Sequence, residues 1–140
     1  MRETRSSAAR GLSLAIAALI LAGGCDFDTL RIQVCTDGLA VLVSTEPDAE
    51  FSWGGGCGVG SLEVREAGAS GRILWRIQDR QAGNGLAAPI RYGTTPLGST
   101  VLIPPAPLEP GTRYIVEVTA LQLIQGREIS SAVGEATFVR

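Results

Sequence analysis

One segment of this chain, Arg113–Leu123 (RYIVEVTALQL), constrains the fold most strongly. Successive side chains of a β-strand point to opposite faces of a sheet, so residues two apart share a face. In this segment Tyr114, Val116, Val118 and Ala120 share one face, and all four are aromatic or aliphatic. The pattern therefore predicts a long β-strand with one face in a hydrophobic core.

Shorter segments of the same kind recur after Gly24, and none of them has a helical period. Eighteen Gly and seven Pro supply frequent turns between them. Six or seven short strands with frequent turns predict an all-β domain, a single small two-sheet sandwich. Besides a possible first strand at Leu30–Cys35, the predicted strands are Leu39–Thr45, Glu50–Trp53, Ser61–Glu66, Arg72–Gln78, Val101–Ile103, Arg113–Leu123 and Glu135–Val139.

Two stretches do not alternate and are predicted to be irregular. Gly54–Gly60 is interpreted as a loop. Gln81–Ser99 is long for a loop inside a compact domain, so it contains a short edge strand around Ile90–Tyr92 or forms a surface loop with a function of its own. Within Arg72–Gln78, alternation predicts that Ile73 shares a face with Trp75. The predicted core consists of Val41, Val43, Phe51, Trp53, Leu62, Val64, Trp75, Tyr114, Val116, Val118 and Phe138.

The first 24 residues have the pattern of a signal peptide. Met1–Arg10 carries three Arg against one acidic residue, and Gly11–Gly24 is uncharged over 14 residues. A spanning helix needs about 20 apolar residues, so this run is short for a transmembrane segment. A basic start, a short apolar run and small residues at its end are typical of a secretory signal, and residues 1–24 are interpreted as one.

The end of that run, Leu21–Cys25 (LAGGC), resembles the lipobox of bacterial lipoproteins, in which small residues precede a cysteine that is modified. The resemblance implies that Cys25 carries a diacylglyceryl thioether and becomes the new N-terminus. Two or more acyl chains hold a protein stably on a membrane. The expected location is therefore the bacterial cell envelope, on a membrane and facing away from the cytoplasm. An ordinary secretory signal and an uncleaved membrane helix are the alternatives.

The three cysteines fit this interpretation, because lipidation of Cys25 leaves one pair. Cys35 and Cys57 can then form a disulfide in an oxidising compartment. Two separate buried thiols are the alternative. No metal site is expected, because two Cys without any His lack the usual four ligands.

Charge and chain length suggest one folded domain that does not bind nucleic acid. Residues 25–37 are predicted to be a tether with a possible first strand, and residues 38–140 the β-sandwich. From Cys25 onwards, nine Arg face thirteen acidic residues, a net charge of −4. Binding to nucleic acid needs a basic face that neutralises phosphates, which an acidic domain does not supply.

A second resemblance concerns the β domain itself. Leu108–Ala120 (LEPGTRYIVEVTA) resembles the corner between the fifth and sixth strands of fibronectin type III and related immunoglobulin-like domains. The resemblance implies that Leu108 closes this corner, that Pro110 and Gly111 turn it, and that the Tyr114 hydroxyl bonds back to nearby backbone. The segments Phe51–Trp53 and Gly134–Val139 resemble the second and last strands of the same fold. A different β-sandwich or a small barrel is the alternative.

No catalytic group stands out in the sequence. The chain has no His, so Ser-His-Asp and Cys-His systems are excluded within it, and neither an enzymatic activity nor a cofactor is expected. The leading hypothesis is a non-catalytic module that binds an envelope protein through loops or an edge strand. A module for glycans or small ligands is the second, with Trp75 and Tyr92 as candidate binding residues, although Trp75 is also a candidate core residue. The third is a structural subunit that assembles through a hairpin at Leu121–Ile129.

Overall fold

The computed structural model describes residues 34–69, 71–81 and 83–140, and within these ranges every regular element is a β-strand. No helix in these ranges is long and apolar enough to cross a membrane. The strands are β1 (Val41–Ser44), β2 (Glu50–Trp53), β3 (Gly58–Val59), β4 (Ser61–Glu66), β5 (Ile73–Asp79), β6 (Leu86–Ala87), β7 (Ile90–Arg91), β8 (Ser99–Ile103), β9 (Arg113–Ile124) and β10 (Arg127–Val139).

The strands form two antiparallel sheets and one short pair. The larger sheet has the order β10-β9-β4-β5-β8, the smaller has the order β1-β2-β7, and β3 pairs with β6. Phe51 of the smaller sheet packs against Trp75 and Phe138 of the larger, with ring centroids 6.5 and 5.6 Å apart. The two sheets therefore share one core in a sandwich-like arrangement, which confirms the predicted all-β class.

The core follows the alternation seen in the sequence. Ten of the eleven predicted core residues are buried, and Val43 is half-buried and packs against them. Val59, Leu86 and Ile90 are also buried, although the sequence did not predict them. They lie on β3, β6 and β7, and strands of two residues are too short to show a period.

A β-bulge in β5 places one side chain, Ile73, on the opposite face of the sheet from the predicted one. Trp75 pairs with Val64 and Ile73 pairs with Arg65, so Leu74 is an extra residue between the two pairs. An extra residue displaces the alternation of side chains along the strand. Leu74 and Trp75 are both buried, and Ile73 faces the same side as Arg65. The prediction that Ile73 shares a face with Trp75 is therefore wrong.

Two predicted loops contain strands. Gly54–Gly60 includes β3, so its interpretation as a loop is wrong in part. Gln81–Ser99 includes β6 and β7, and β7 pairs with β2 through Ile90 and Phe51. The alternative of a short strand near Ile90 is therefore confirmed. Of the predicted first strand, most lies outside the described residues, and Val34 makes a single parallel bridge to Gly58.

The last strand is much longer than predicted. It begins at Arg127 rather than at Glu135, and it pairs with β9 along its whole length. Its first six residues, 127–132, are all exposed, because the smaller sheet does not cover them. An uncovered strand does not need alternating apolar residues, so the sequence carries little signal for this part of β10.

Candidate functional site

The distal hairpin, which we define as residues 122–132, continues β9 and β10 beyond the rest of the larger sheet. The pairing of β4 with β9 ends at Thr119, and beyond this residue β10 is the strand that still pairs with β9. Gln125 and Gly126 join the two strands with φ angles of 52° and 74°, which are typical of a two-residue hairpin turn. Every side chain described in this hairpin is exposed, including Ile129 at 43%. The hairpin therefore extends beyond the end of β4, and its Glu128 carboxylate accepts a hydrogen bond from the side-chain NH₂ of Gln78 on β5 at 3.3 Å.

Asn84 fixes the base of the distal hairpin. Its side-chain NH₂ donates to the Leu121 carbonyl, and its side-chain oxygen accepts from the Leu121 N–H, both at 2.8 Å. The Asp79 carboxylate in turn accepts from the backbone N–H groups of Gln81 and Gly85, at 3.1 and 2.7 Å. The two Asn84 bonds satisfy the backbone N–H and C=O of Leu121 at a point where β4 no longer pairs with β9. The hairpin therefore extends from a well-anchored point.

A groove of about 270 Å³ lies at the same base. Residues 34–37 line one side of it, and the other side is lined by Ala120, Gln122, Ser131 and Val133. The inner face of β9 and β10 continues from the core into this groove. The point where the described chain begins therefore lies beside the base of the distal hairpin.

Cys35 and Cys57 form a disulfide, which confirms the predicted pair. Their Cα atoms are 5.1 Å apart, and the two residues are separated by 22 positions in sequence. Beside the bridge, the Cys35 N–H donates to the Gly58 carbonyl at 3.0 Å. Closing a loop of this length stabilises a domain by about 3 kcal/mol in the chain-entropy model. The bridge ties one wall of the groove to the rest of the domain.

The two aromatic residues considered for ligand binding pack against each other. Trp75 is completely buried, and the Trp75 and Tyr92 rings pack in a T-shaped arrangement with centroids 5.2 Å apart. Tyr92 is half-buried, and its hydroxyl donates to the Ala106 carbonyl at 2.6 Å. Trp75 therefore offers no ring face to a sugar, and the Tyr92 hydroxyl is already bonded within the protein.

We expect the half-buried Tyr92 to make the protein sensitive to alkali. Burial raises the pKa of Tyr92 from its ordinary value near 10 to about 12, because the phenolate loses hydration. A raised pKa in the folded state stabilises the fold below pH 10, and this contribution is lost as the pH rises towards 12. The free energy of unfolding, measured with urea between pH 8 and pH 12, is expected to fall less steeply with pH in Tyr92→Phe than in the parent protein. Equal pH slopes for both proteins would contradict this expectation.

A second cavity, of about 420 Å³, lies beside β6 and the start of β8. Its two charged side chains are bonded to the protein's own backbone: Asp79 accepts from the N–H groups of Gln81 and Gly85, and Arg80 donates to the Ser99 carbonyl at 3.2 Å. Leu97 is fully exposed at its rim. The cavity is lined by Asp79, Arg80, Gln81, Gly85, Leu86, Leu97 and Gly98. Its geometry therefore offers few free polar groups to a ligand.

The segment before β9 forms a tight corner. Tyr114 is buried, and its hydroxyl accepts from the backbone N–H of Glu109 at 2.7 Å. The Thr112 N–H donates to the Glu109 carbonyl, and Gly111 has a φ of 76°, which a residue with a side chain rarely adopts. Leu108 is partly buried against the core. These contacts hold the chain in its reversal into β9.

Charged side chains on the outer face of the larger sheet pair with one another. Arg65 lies 3.5 Å from Glu117 and 3.6 Å from Glu135, and Arg76 lies 3.2 Å from Glu63. Exposed pairs of this kind contribute only about 0–1 kcal/mol each. In the part of the chain that the structure describes, no cluster of His, Cys, Asp or Glu could hold a metal ion. This face is a solvated surface stabilised by modest ion pairs.

The lipidation candidate Cys25 and the signal segment 1–24 lie outside the described residues. Comparison with protein families, with curated proteins and with solved structures finds no significant match to this chain. The functional interpretation therefore depends on the residues and the geometry alone.

Proposed function

We propose that this chain is a lipid-anchored protein of the bacterial cell envelope, and that its β domain is a non-catalytic module that binds protein partners through the distal hairpin. The observation that carries the proposal is the exposure of residues 122–132 on two strands whose base is fixed by Asn84. An exposed, well-anchored pair of strands with a half-exposed Ile129 is suited to contact another protein.

The Cys35–Cys57 disulfide supports export, because disulfides persist in oxidising compartments outside the cytoplasm. Val34 lies nine positions after Cys25, and a chain of that length reaches at most about 30 Å. Val34 lines the groove at the base of the distal hairpin. A lipid on Cys25 would therefore keep the base of the hairpin within about 30 Å of the membrane surface.

The β domain, in this proposal, is of the fibronectin type III kind. Two facing antiparallel sheets support this assignment, as does the neighbouring order β4-β9-β10, which corresponds to a C-F-G sheet. The bond between Tyr114 and Glu109 supports it as well, because a corner tyrosine is a hallmark of such sandwiches.

The proposal assigns no reaction, cofactor, metal or nucleic acid to the chain. It has no His, and its acidic charge after Cys25 is unsuited to phosphate binding. A glycan-binding role loses its main support, because Trp75 is completely buried. A structural subunit would use the same hairpin, but it would differ from a free binding module by forming a complex of fixed stoichiometry.

The test compares two exposed apolar residues that lie in different places. Ile129→Arg in the distal hairpin is expected to lower the recovery of a crosslinked partner from membranes about tenfold, equivalent to about 1.4 kcal/mol of binding. Leu97→Arg, at a fully exposed position in the Gln81–Ser99 segment, serves as the matched control and should leave recovery unchanged. Equal recovery with both variants, or no reproducible partner for the parent protein, would count against the proposal.

A further inference from the structure

We propose that the partner of the distal hairpin is a second copy of this chain, paired antiparallel with the free edge of β10 and centred on Ser130. The inference rests on the proposed role of the distal hairpin as a contact surface. It adds the identity of the partner and the register of the pairing, both of which follow from the backbone of β10.

The register of the hairpin determines which backbone groups of β10 are free. Opposite residues in an antiparallel pair alternate between bonded pairs and non-bonded pairs, whose N–H and C=O groups point away from the partner. Leu121 bonds to Asn84 on the far side of β9, so Leu121 and its partner Ser130 form a non-bonded pair. The N–H and C=O of Ser130 therefore point to the outer edge. By the same alternation, the N–H and C=O groups of Glu128 and Ala132 also point to the outer edge.

The free stretch, which we define as residues 128–132 with their unpaired outer backbone groups, ends at Val133. The Val133 carbonyl accepts from the Leu39 N–H at 2.8 Å, and it belongs to the β-bulge between Ala132 and Gly134. The chain around Leu39 lies tightly against this point, since a Cβ on Gly134 would approach the Leu39 carbonyl to 2.5 Å. Among the described residues, the outer groups of Glu128, Ser130 and Ala132 therefore remain without a strand partner.

The two edges of the larger sheet differ in how they are protected. At one edge, β8 has five residues, an irregular register beside Leu102, and Pro104 and Pro105 directly after it. Short strands, bulges and prolines are the usual means of preventing edge-to-edge pairing. At the other edge, β10 has 13 residues and no proline, and its bulge at Val133 lies at the end of the free residues 128–132 rather than among them. This contrast points to β10 as the edge that is available for pairing.

The free stretch is complementary to itself. In an antiparallel pair centred on Ser130, Ser130 lies opposite Ser130 of the second copy, and Glu128 lies opposite Ala132. Each of these pairs exchanges two N–H···O bonds, so all three free residues are used. No two like charges lie opposite each other, which would be destabilising. The two Ile129 side chains become diagonal neighbours, within reach of an apolar contact.

The expected interface is small compared with the roughly 800 Å² per partner of a stable complex. We therefore expect pairing where the chain is concentrated, as on a membrane surface, because confinement raises the effective concentration. Copies held by the same anchor also share an orientation, and a two-fold axis along the membrane normal keeps both anchors on one side.

The test uses the full chain in membranes and, in parallel, the purified full chain at high concentration. Ser130→Cys places a thiol at the proposed two-fold axis, where the Cα atoms of the two copies would be about 5.5 Å apart. Thr137→Cys is the matched control, because Thr137 is exposed on the same strand but lies far from the axis. After treatment with a short thiol crosslinker, Ser130→Cys is expected to give on the order of tenfold more covalent dimer than Thr137→Cys.

A second variant tests the edge without a thiol. Ser130→Pro removes an N–H that makes no bond to β9, so the hairpin keeps its own pairing while the outer edge is blocked. A differently tagged second copy is expected to be recovered with the parent chain and lost with Ser130→Pro. Dimer from Ser130→Cys at or below the Thr137→Cys level in both samples would overturn the inference. Crosslinking of Ser130→Cys to a different protein would also overturn the inference, although the proposed function would stand. Membrane pelleting measured on the same samples reports separately on the anchor.

Discussion

Replacing Phe51 by alanine is expected to lower the free energy of unfolding by about 3–5 kcal/mol, the usual cost of truncating a buried aromatic residue. Phe51 is completely buried on β2, and it contacts both Trp75 and Phe138 of the opposite sheet. Its removal would leave a cavity between the two sheets. Because small domains are stable by only about 5–15 kcal/mol, the variant would lose a large part of its stability.

Urea unfolding followed by tryptophan fluorescence measures this effect, because Trp75 lies beside Phe51. Leu42→Ala is the matched control: Leu42 lies on β1, in the same sheet, and its side chain is 64% exposed. Its stability should stay within about 0.5 kcal/mol of the parent chain. If Phe51→Ala were no more destabilising than Leu42→Ala, the two sheets would not share the core described above.

The strands that could be predicted from the sequence are those with one buried face. In β9, each residue from Tyr114 to Ala120 that points inward is apolar and buried, so alternation identified both the strand and its core face. The bulge at Leu74 left no such signal, because Ile73 and Leu74 are equally apolar. A local insertion is detectable in the pairing of strands, and a single sequence does not contain that information.

The candidate site was predictable only in outline. A hairpin at Leu121–Ile129 was predicted from the sequence. The length of β10 did not follow, because its exposed first half has no hydrophobic pattern. The contact between Asn84 and Leu121 joins residues 37 positions apart, and neither residue type indicates the other. Trp75 is compatible with either a core or a binding role in the sequence, and its burial distinguishes the two.

Replacing Cys25 by serine is expected to release the protein from membranes. The hydroxyl cannot form the thioether that lipidation requires, and Ala22 and Gly24 still permit ordinary signal cleavage. Two or more acyl chains hold a protein on a membrane far more strongly than a single chain, whose binding is marginal. We therefore expect the ratio of pelleted to soluble protein to fall on the order of a hundredfold or more.

The double variant Cys35→Ser, Cys57→Ser is the control for this experiment. It removes the disulfide and leaves Cys25 intact, so the protein should still pellet with membranes. If Cys25→Ser pelleted as firmly as the parent chain, residues 1–24 would be acting as a membrane helix.

The intact mass of the protein extracted from membranes tests the proposal that the chain is exported and lipid-anchored. The expected mass is that of a chain beginning at Cys25, increased by its acyl groups and reduced by two hydrogens for the Cys35–Cys57 bridge. A chain that retains residues 1–24, or one that begins at Cys25 without any acyl mass, would contradict a lipid-anchored envelope protein.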